Sequence, residues 1–163
     1  MIMRTEEAAE RAVELYADMI RRICFMHLKK YEDVEDAFQE VFLKYILHKE
    51  NFESHAHEKA WLIRVAVNVC RDMLRSPFRR RVSSLDDLDF EPFYIQEEEG
   101  ELLRCISGMP QKYRDVLYLF YYEGYTAVEI AAIMHRKENT IYTWLGRARK
   151  ILKEKLGGDF IEP

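Results

Sequence analysis

The sequence predicts an all-α chain built as two small helical domains joined by an acidic linker. Three observations carry that prediction. Apolar residues recur with helical spacing from Glu6 to Met73 and again from Leu102 to Leu156, without sustained two-residue alternation. Glycine (6) and proline (4) are scarce among 163 residues, which argues against turn-rich sandwiches and barrels. Between the blocks, Asp86, Asp87, Asp89, Glu91, Glu97, Glu98, Glu99 and Glu101 stand with no lysine or arginine among them, the pattern of a solvated linker or interaction segment. The boundaries follow as 1–82 for the first domain, 83–101 for the linker and 102–163 for the second domain.

In the first block, Ala9, Ala12, Val13, Tyr16, Met19, Ile20 and Ile23 form one apolar stripe. Val34, Phe38, Val41, Phe42 and Tyr45 form a second, and Leu62, Val65, Ala66, Val69 and Met73 a third. Ser76-Pro77 ends the third helix, because proline disfavours helical backbone in the residue before it. Opposite the third stripe lie Arg64, Asn68, Arg71 and Arg75, and the basic run Arg79-Arg80-Arg81 follows. Guanidiniums and an amide on one helix face can track a phosphate backbone and donate to bases. Phe52 and Trp61 flank a polar stretch just ahead of that face; such aromatics either stack on unpaired bases or anchor the helix to the core.

In the second block, Thr126 to Glu129 is a capping box opening a short helix that breaks at His135-Arg136-Lys137. A longer helix follows, with Ile141, Leu145, Ala148, Leu152 and Leu156 buried and Asn139, Thr143, Arg147 and Lys150 on the opposite face. This is the pattern of a helix-turn-helix whose second helix enters a major groove, or of a helical hairpin with a solvated basic face. Upstream, tyrosines crowd at Tyr118, Tyr121, Tyr122 and Tyr125, suiting core and rim positions or a protein-docking surface.

Several function classes are argued against. No apolar run reaches the roughly 18 residues of a membrane span, and the N-terminus lacks a signal-peptide pattern. Cys24, Cys70 and Cys105 are odd in number and far apart, so reduced thiols and a cytoplasmic location are expected. His55-Ala56-His57-Glu58 lacks the HExxH spacing and a third ligand, and no glycine-rich phosphate loop or G-x-S-x-G elbow occurs. No catalytic residue, metal site, cofactor or small-molecule substrate is therefore expected. The formal charge of −4 divides into +1, −8 and +3 over residues 1–82, 83–101 and 102–163, so the acidity lies in the linker.

These segments, in this order, resemble bacterial sigma factors of the extracytoplasmic-function (ECF) group of the sigma-70 superfamily. Asp36-Ala37-Phe38-Gln39-Glu40-Val41-Phe42-Leu43 resembles the polymerase-binding helix of sigma region 2. Ala60-Trp61-Leu62-Ile63-Arg64-Val65-Ala66-Val67-Asn68, continuing to Asp72 and Arg75, resembles its promoter-melting and minus-ten helix. Met109-Pro110, Arg114 to Leu117, Glu123-Gly124, Glu129 to Ala131, Thr140-Ile141 and Arg147 to Arg149 follow sigma region 4 in order.

The resemblance implies a transcription initiation factor, not an enzyme, that binds core RNA polymerase, recognises minus-ten and minus-thirty-five promoter elements and promotes melting. It implies that Asp36, Gln39, Glu40 and Phe42 contact the β′ clamp helices, and that the helices around Tyr113 to Tyr122 contact the β flap. Phe52, Trp61, Arg64, Asn68, Arg71 and Arg75 would serve the minus-ten element, with the loop Glu50 to Glu58 capturing a flipped base. Arg136, Lys137, Thr140, Tyr142, Thr143, Arg147 and Lys150 would serve the minus-thirty-five element. The acidic linker would thread towards the RNA-exit path, and the family pattern implies an anti-sigma partner, membrane-linked. An autonomous helix-turn-helix regulator is the alternative, but it leaves the Asp36–Leu43 motif unexplained.

This chain departs from the family pattern at the turn. His135 and Arg136 stand where a glycine and an apolar residue are usual, so an altered turn geometry is expected. Lys137 and Asn139 replace the usual serine and glycine at the start of the recognition helix, and Tyr142 and Trp144 stand where basic residues are common.

Overall fold

In a computed structural model, residues 4–76 and 97–157 are described and form seven α-helices, with no strand among the described residues. They fall into two units, Met1–Ile95 and Gln96–Pro163. The all-α, two-domain expectation is met. The run Arg79-Arg80-Arg81 and the acidic residues from Asp86 to Glu91 lie outside the described residues.

The first unit is a three-helix arrangement in which α1 (Glu6–Leu28), α2 (Tyr31–Leu47) and α3 (His55–Arg75) each pack on the other two. Thr5 starts α1 by accepting the Ala8 N–H at 3.1 Å, with Glu6 and Glu7 placed favourably in the first turn. The predicted stripe holds at Ala12, Tyr16, Met19, Ile20 and Ile23, but burial widens at the end: every residue from Ile23 to Leu28 is buried. Lys29, with φ 63°, then turns the chain into α2. Arg21 fixes that junction. Its Nε and Nη2 reach the two Glu35 carboxylate oxygens at 3.1 and 3.3 Å, and its guanidinium covers Phe38 at 3.9 Å.

Ser54 caps α3 by accepting the His57 N–H at 3.1 Å, and α3 ends at Arg75, just before Ser76-Pro77. Glu58 therefore lies in the first helical turn, not in a loop, and it is buried at 4 % exposure. A buried carboxylate needs partners. Tyr45 Oη donates to Glu58 Oε2 at 2.8 Å, and Arg11 Nη2 stands 3.5 Å away. Burial and the Glu58 carboxylate both push the Tyr45 pKa up, so the hydroxyl stays a donor.

The second unit comprises α4 (Glu97–Ser107), α5 (Gln111–Tyr121), α6 (Ala127–Met134) and α7 (Glu138–Leu156), with α7 packed against the other three. Residues 97–101, read as linker, are helical. Leu103, Ile106, Val116, Leu117, Ile130, Ile141, Leu145, Ala148 and Leu152 make its core. The capping box of α6 is present: Thr126 N–H donates to Glu129 Oε1 at 3.0 Å, and Glu129 N–H to Thr126 Oγ1 at 3.2 Å. These bonds hold the Glu129 carboxyl below its ordinary pKa.

The expected change of turn geometry after α6 does not occur. His135 adopts φ 53° and ψ 49°, the left-handed conformation a glycine would take. Arg136 N–H reaches Ala131 O at 3.0 Å and His135 N–H reaches Ala132 O at 3.4 Å, closing the helix as a Schellman motif does. The backbone bonds outweigh the steric cost of a side chain there. No helix among the described residues is long and apolar enough to cross a membrane.

Two stability predictions follow. Tyr45→Phe strips a donor from a buried carboxylate and should cost about 1–3 kcal/mol, read by urea unfolding through Trp61 fluorescence in a Trp144→Phe background. An unchanged midpoint would mean Glu58 does not need that donor. His135→Gly removes a left-handed penalty of about 1–2 kcal/mol against a glycine entropy cost of about 0.5–1 kcal/mol. It should stabilise the second unit slightly, read through Trp144 with Trp61→Phe; destabilisation would show that the His135 side chain holds the turn.

Candidate nucleic-acid interface

On α3 the core side is broader than the predicted stripe, since Ile63, Val67 and Cys70 are buried with Leu62, Ala66 and Val69. What remains for solvent is the face read as basic. Arg64, Asn68 and Arg75 are exposed and Arg71 is half-buried. A helix with one buried half and a guanidinium–amide row on the other presents donors along a line of about 1.5 Å rise per residue, suited to successive phosphates and base edges.

The same helix begins in an aromatic cluster. Phe52 and Trp61 are both half-buried, with ring centroids 5.5 Å apart. Tyr45 lies beneath, stacked parallel to Phe52 at 6.1 Å and tilted to Trp61 at 6.2 Å. Trp61 is thus anchored against neighbouring rings and still partly exposed, so the two readings of it are compatible. His48, missed from sequence, completes the cluster at 5.2 Å from Phe52 and 4.5 Å from Trp61. Burial first, then the Arg4 guanidinium, lower its pKa. A neutral, flat imidazole beside two aromatic rings is apolar enough to extend them. The loop expected over Glu50 to Glu58 is shorter, because α3 starts at His55. His57 serves that start, its Nδ1 accepting the Glu53 N–H at 3.1 Å.

Asp36, Gln39 and Glu40 lie exposed along α2, on a groove of about 580 Å³ between α2 and α3. Leu43, Lys44, Val69, Asp72, Met73 and Ser76 complete its lining. Phe42 does not belong to this surface. It is 6 % exposed and packs against Phe38 (4.9 Å) and Tyr45 (6.4 Å), because its helical position falls on the buried stripe of α2. Its neighbour Leu43 is the exposed apolar residue of the groove, at 50 %. The signal was available: Asp36, Glu40 and Leu43 fall on one face at helical spacing.

On α7, Tyr142 is 56 % exposed, Thr143, Arg147 and Lys150 are exposed, and Thr140 is half-buried. Thr143 Oγ1 donates to Asn139 O at 2.9 Å, which commits the hydroxyl proton and leaves its methyl and lone pairs outward. Gly146 stands between these residues on the wheel, and a Cβ there would meet no atom within 4 Å. Lys137 starts the helix with no side-chain cap, leaving the first amides of α7 to another acceptor. Arg136 and Lys137 are exposed beside them, the Arg136 guanidinium lying 5.7 Å from the Trp144 ring centroid. Of the upstream tyrosines, Tyr113 and Tyr118 are buried while Tyr121, Tyr122 and Tyr125 are half-buried.

Comparison with known proteins meets this geometry from outside. The Sigma-70 region 2 family matches residues 12–81, and the Sigma-70 region 4 family matches residues 99–152. The ECF RNA polymerase sigma factor SigW of Bacillus subtilis is 24% identical over 168 residues, covering 93% of this chain and 90% of the relative. SigM of the same organism is 29% identical over 148 residues, covering 86% and 90%. The ECF sigma-E factor of Escherichia coli K12 is 29% identical over 141 residues, covering 76% and 74%. Among solved structures, the sigma factor RpoE from Bartonella quintana, in complex with the anti-sigma factor NepR, superposes with a TM-score of 0.74 at 20% identity, covering 93% of this chain and 98% of that one. CnrH, in complex with the cytosolic domain of CnrY, gives 0.68 at 22% identity, covering 96% and 92%. With both sigma regions matched in order over most of its length, the chain belongs to the sigma-70 family, as a transcription initiation factor of its ECF group.

Proposed function

We propose that this chain directs core RNA polymerase to promoters through three surfaces with separate tasks. The α2 groove, with Asp36, Gln39, Glu40 and Leu43, docks on the β′ clamp helices. The basic face of α3, with Arg64, Asn68, Arg71 and Arg75, follows the minus-ten element, while Phe52 and Trp61 receive a base from the separating strand. The α7 face, with Thr140, Tyr142, Thr143, Arg147 and Lys150, enters the minus-thirty-five major groove, and Arg136 and Lys137 meet flanking phosphates. Half-buried Tyr121 and Tyr122 serve the β flap. The phosphodiester chemistry belongs to the polymerase, and the chain works where that polymerase works, in the bacterial cytoplasm.

The observation that carries this reading is α3 itself. It carries a guanidinium–amide face and, near its start, Trp61, which joins Phe52 of the preceding loop and Tyr45 of α2 in a partly exposed aromatic cluster. Duplex binding needs only the first, whereas capture of an unpaired base needs the second. An anti-sigma partner is supported by the two structural neighbours, each solved in complex with a second protein, NepR being named as an anti-sigma factor.

Gly146 sharpens the minus-thirty-five reading. Glycine inside a helix costs about 0.5–1 kcal/mol relative to alanine, and here nothing within the chain requires it, since a Cβ would meet no neighbour. An external surface approaching the backbone supplies a reason. Gly146→Ala should therefore raise the unfolding midpoint and yet weaken binding of the holoenzyme to its promoter. A variant both more stable and equally active would remove that reason.

The docking and reading assignments separate experimentally. Gln39→Ala with Glu40→Ala should lower core affinity by about ten-fold or more, since a charge-assisted hydrogen bond contributes about 1.5–3 kcal/mol; equal affinity sinks the clamp assignment. Arg147→Ala should leave core affinity intact and weaken promoter binding by about 1–3 kcal/mol, measured on a promoter mapped by start-site sequencing. Parallel loss of core binding would contradict the major-groove role of Arg147.

A further inference from the structure

Arg4 stands just before the Thr5 cap of α1, yet its bonds all go to the far end of α2 and the loop beyond. Its N–H donates to Ile46 O at 3.0 Å, its Nε to Tyr45 O at 3.0 Å and its Nη2 to Glu50 O at 2.7 Å. The guanidinium carbon lies 4.7 Å from the Tyr45 ring centroid and 4.6 Å from that of Phe52. The last carbonyls of a helix have no partner inside it, and a cation there meets the negative end of the helix dipole. One side chain thus satisfies the end of α2, clasps the loop at Glu50 and holds Phe52 parallel to Tyr45.

We propose that Arg4 is a positioning residue for minus-ten base capture, fixing the loop Lys49–Ser54 and the Phe52 ring in the orientation that receives an unpaired base. The inference rests on the minus-ten reading of Phe52 and Trp61. Arginine is specific to the task. Its planar fork can donate in two directions while stacking on rings, which a lysine ammonium cannot do. Without the clasp, Phe52 keeps its hydrophobic tendency to pack but loses a fixed plane, so each capture must first order the loop. The effect belongs to strand capture, not to core docking, because the bonds of Arg4 go to Tyr45, Ile46 and Glu50 and not to the α2 groove residues. The same geometry brings the Arg4 charge to bear on His48. After burial, Arg4 is the next cause lowering its pKa, with His57 acting in the same direction and Glu50 opposing.

The test uses holoenzymes assembled with the full chain and the non-template minus-ten oligonucleotide of a promoter mapped by run-off transcription. Arg4→Ala should weaken binding of that single strand by at least about five-fold, the scale of one stacked base, and reduce permanganate reactivity of minus-ten thymines. Core affinity and binding to a duplex carrying only the minus-thirty-five element should be unchanged. Arg4→Lys should resemble Arg4→Ala. In the free chain, the His48 titration followed by NMR should move upward in Arg4→Ala. Single-strand binding that is unaffected by Arg4→Ala but lost in Phe52→Ala would overturn the Arg4 inference alone. Binding unaffected by Phe52→Ala and Trp61→Ala would overturn the minus-ten reading beneath it. Loss of core affinity in both Arg4 variants, or full rescue by lysine, would reduce Arg4 to a general structural role and overturn the proposal.

Discussion

The hydrogen bond from the Tyr45 hydroxyl to Glu58, at 2.8 Å, joins the last turn of α2 to the first turn of α3 inside the first unit. A carboxylate at 4 % exposure is expensive unless it is bonded and charge-balanced. The Tyr45 and Tyr16 hydroxyls supply the bonds, Arg11 the charge, and the N-terminal amides of α3 a favourable dipole. Once those three are set, the angle between α2 and α3 has little freedom. That angle sets the groove between Gln39 and Asp72, and it sets where Trp61 emerges. Tyr45 also carries the ring on which Phe52 stacks and the carbonyl that Arg4 caps. The aromatic cluster proposed to receive a base is therefore an outgrowth of the core, built on a residue with no exposed surface of its own.

Much of this was legible in the sequence. Helical stripes marked the core of both units, and the capping box at Thr126 and Glu129 marked the start of α6, because a local bond depends only on local spacing. The row Arg64, Asn68, Arg71 and Arg75 was legible for the same reason. Phe42 stood in the apolar stripe with Val34, Phe38, Val41 and Tyr45, so its burial was legible too, and only the family resemblance put it on a contact surface. Two things were not. Glu58 reads as one more polar residue ahead of a helix until Tyr45 and Arg11, far off in sequence, arrive beside it. Arg4 and His48 carried no motif at all; their importance lies wholly in long-range contacts.

The turn at His135 gives the complementary lesson. Sequence reasoning expected a glycine-free turn to change shape, and the structure keeps the shape while placing histidine in the left-handed region. Two backbone hydrogen bonds close α6 and orient α7, and the whole recognition surface depends on that orientation. Local preference yields when the alternative is to leave carbonyls unbonded and to move a 19-residue helix. Charge follows a similar logic of parts against the whole. The net −4 suggests a protein indifferent to DNA, but the arginines gather on helix faces while eight carboxylates sit between residues 83 and 101. On that distribution the chain should be a weak ligand for free DNA at ordinary salt, with the polymerase supplying the cationic surface in the proposed reading.

The central claim is that two helical units acting together convert a non-specific polymerase into one that starts at chosen sites. Run-off transcription with purified core polymerase, with and without this chain, on fragmented genomic DNA and with start-site sequencing tests it directly. The account predicts a discrete set of new start sites that appear only with the chain and share two upstream elements. Transcripts with no defined start, or starts identical with and without the chain, would contradict it.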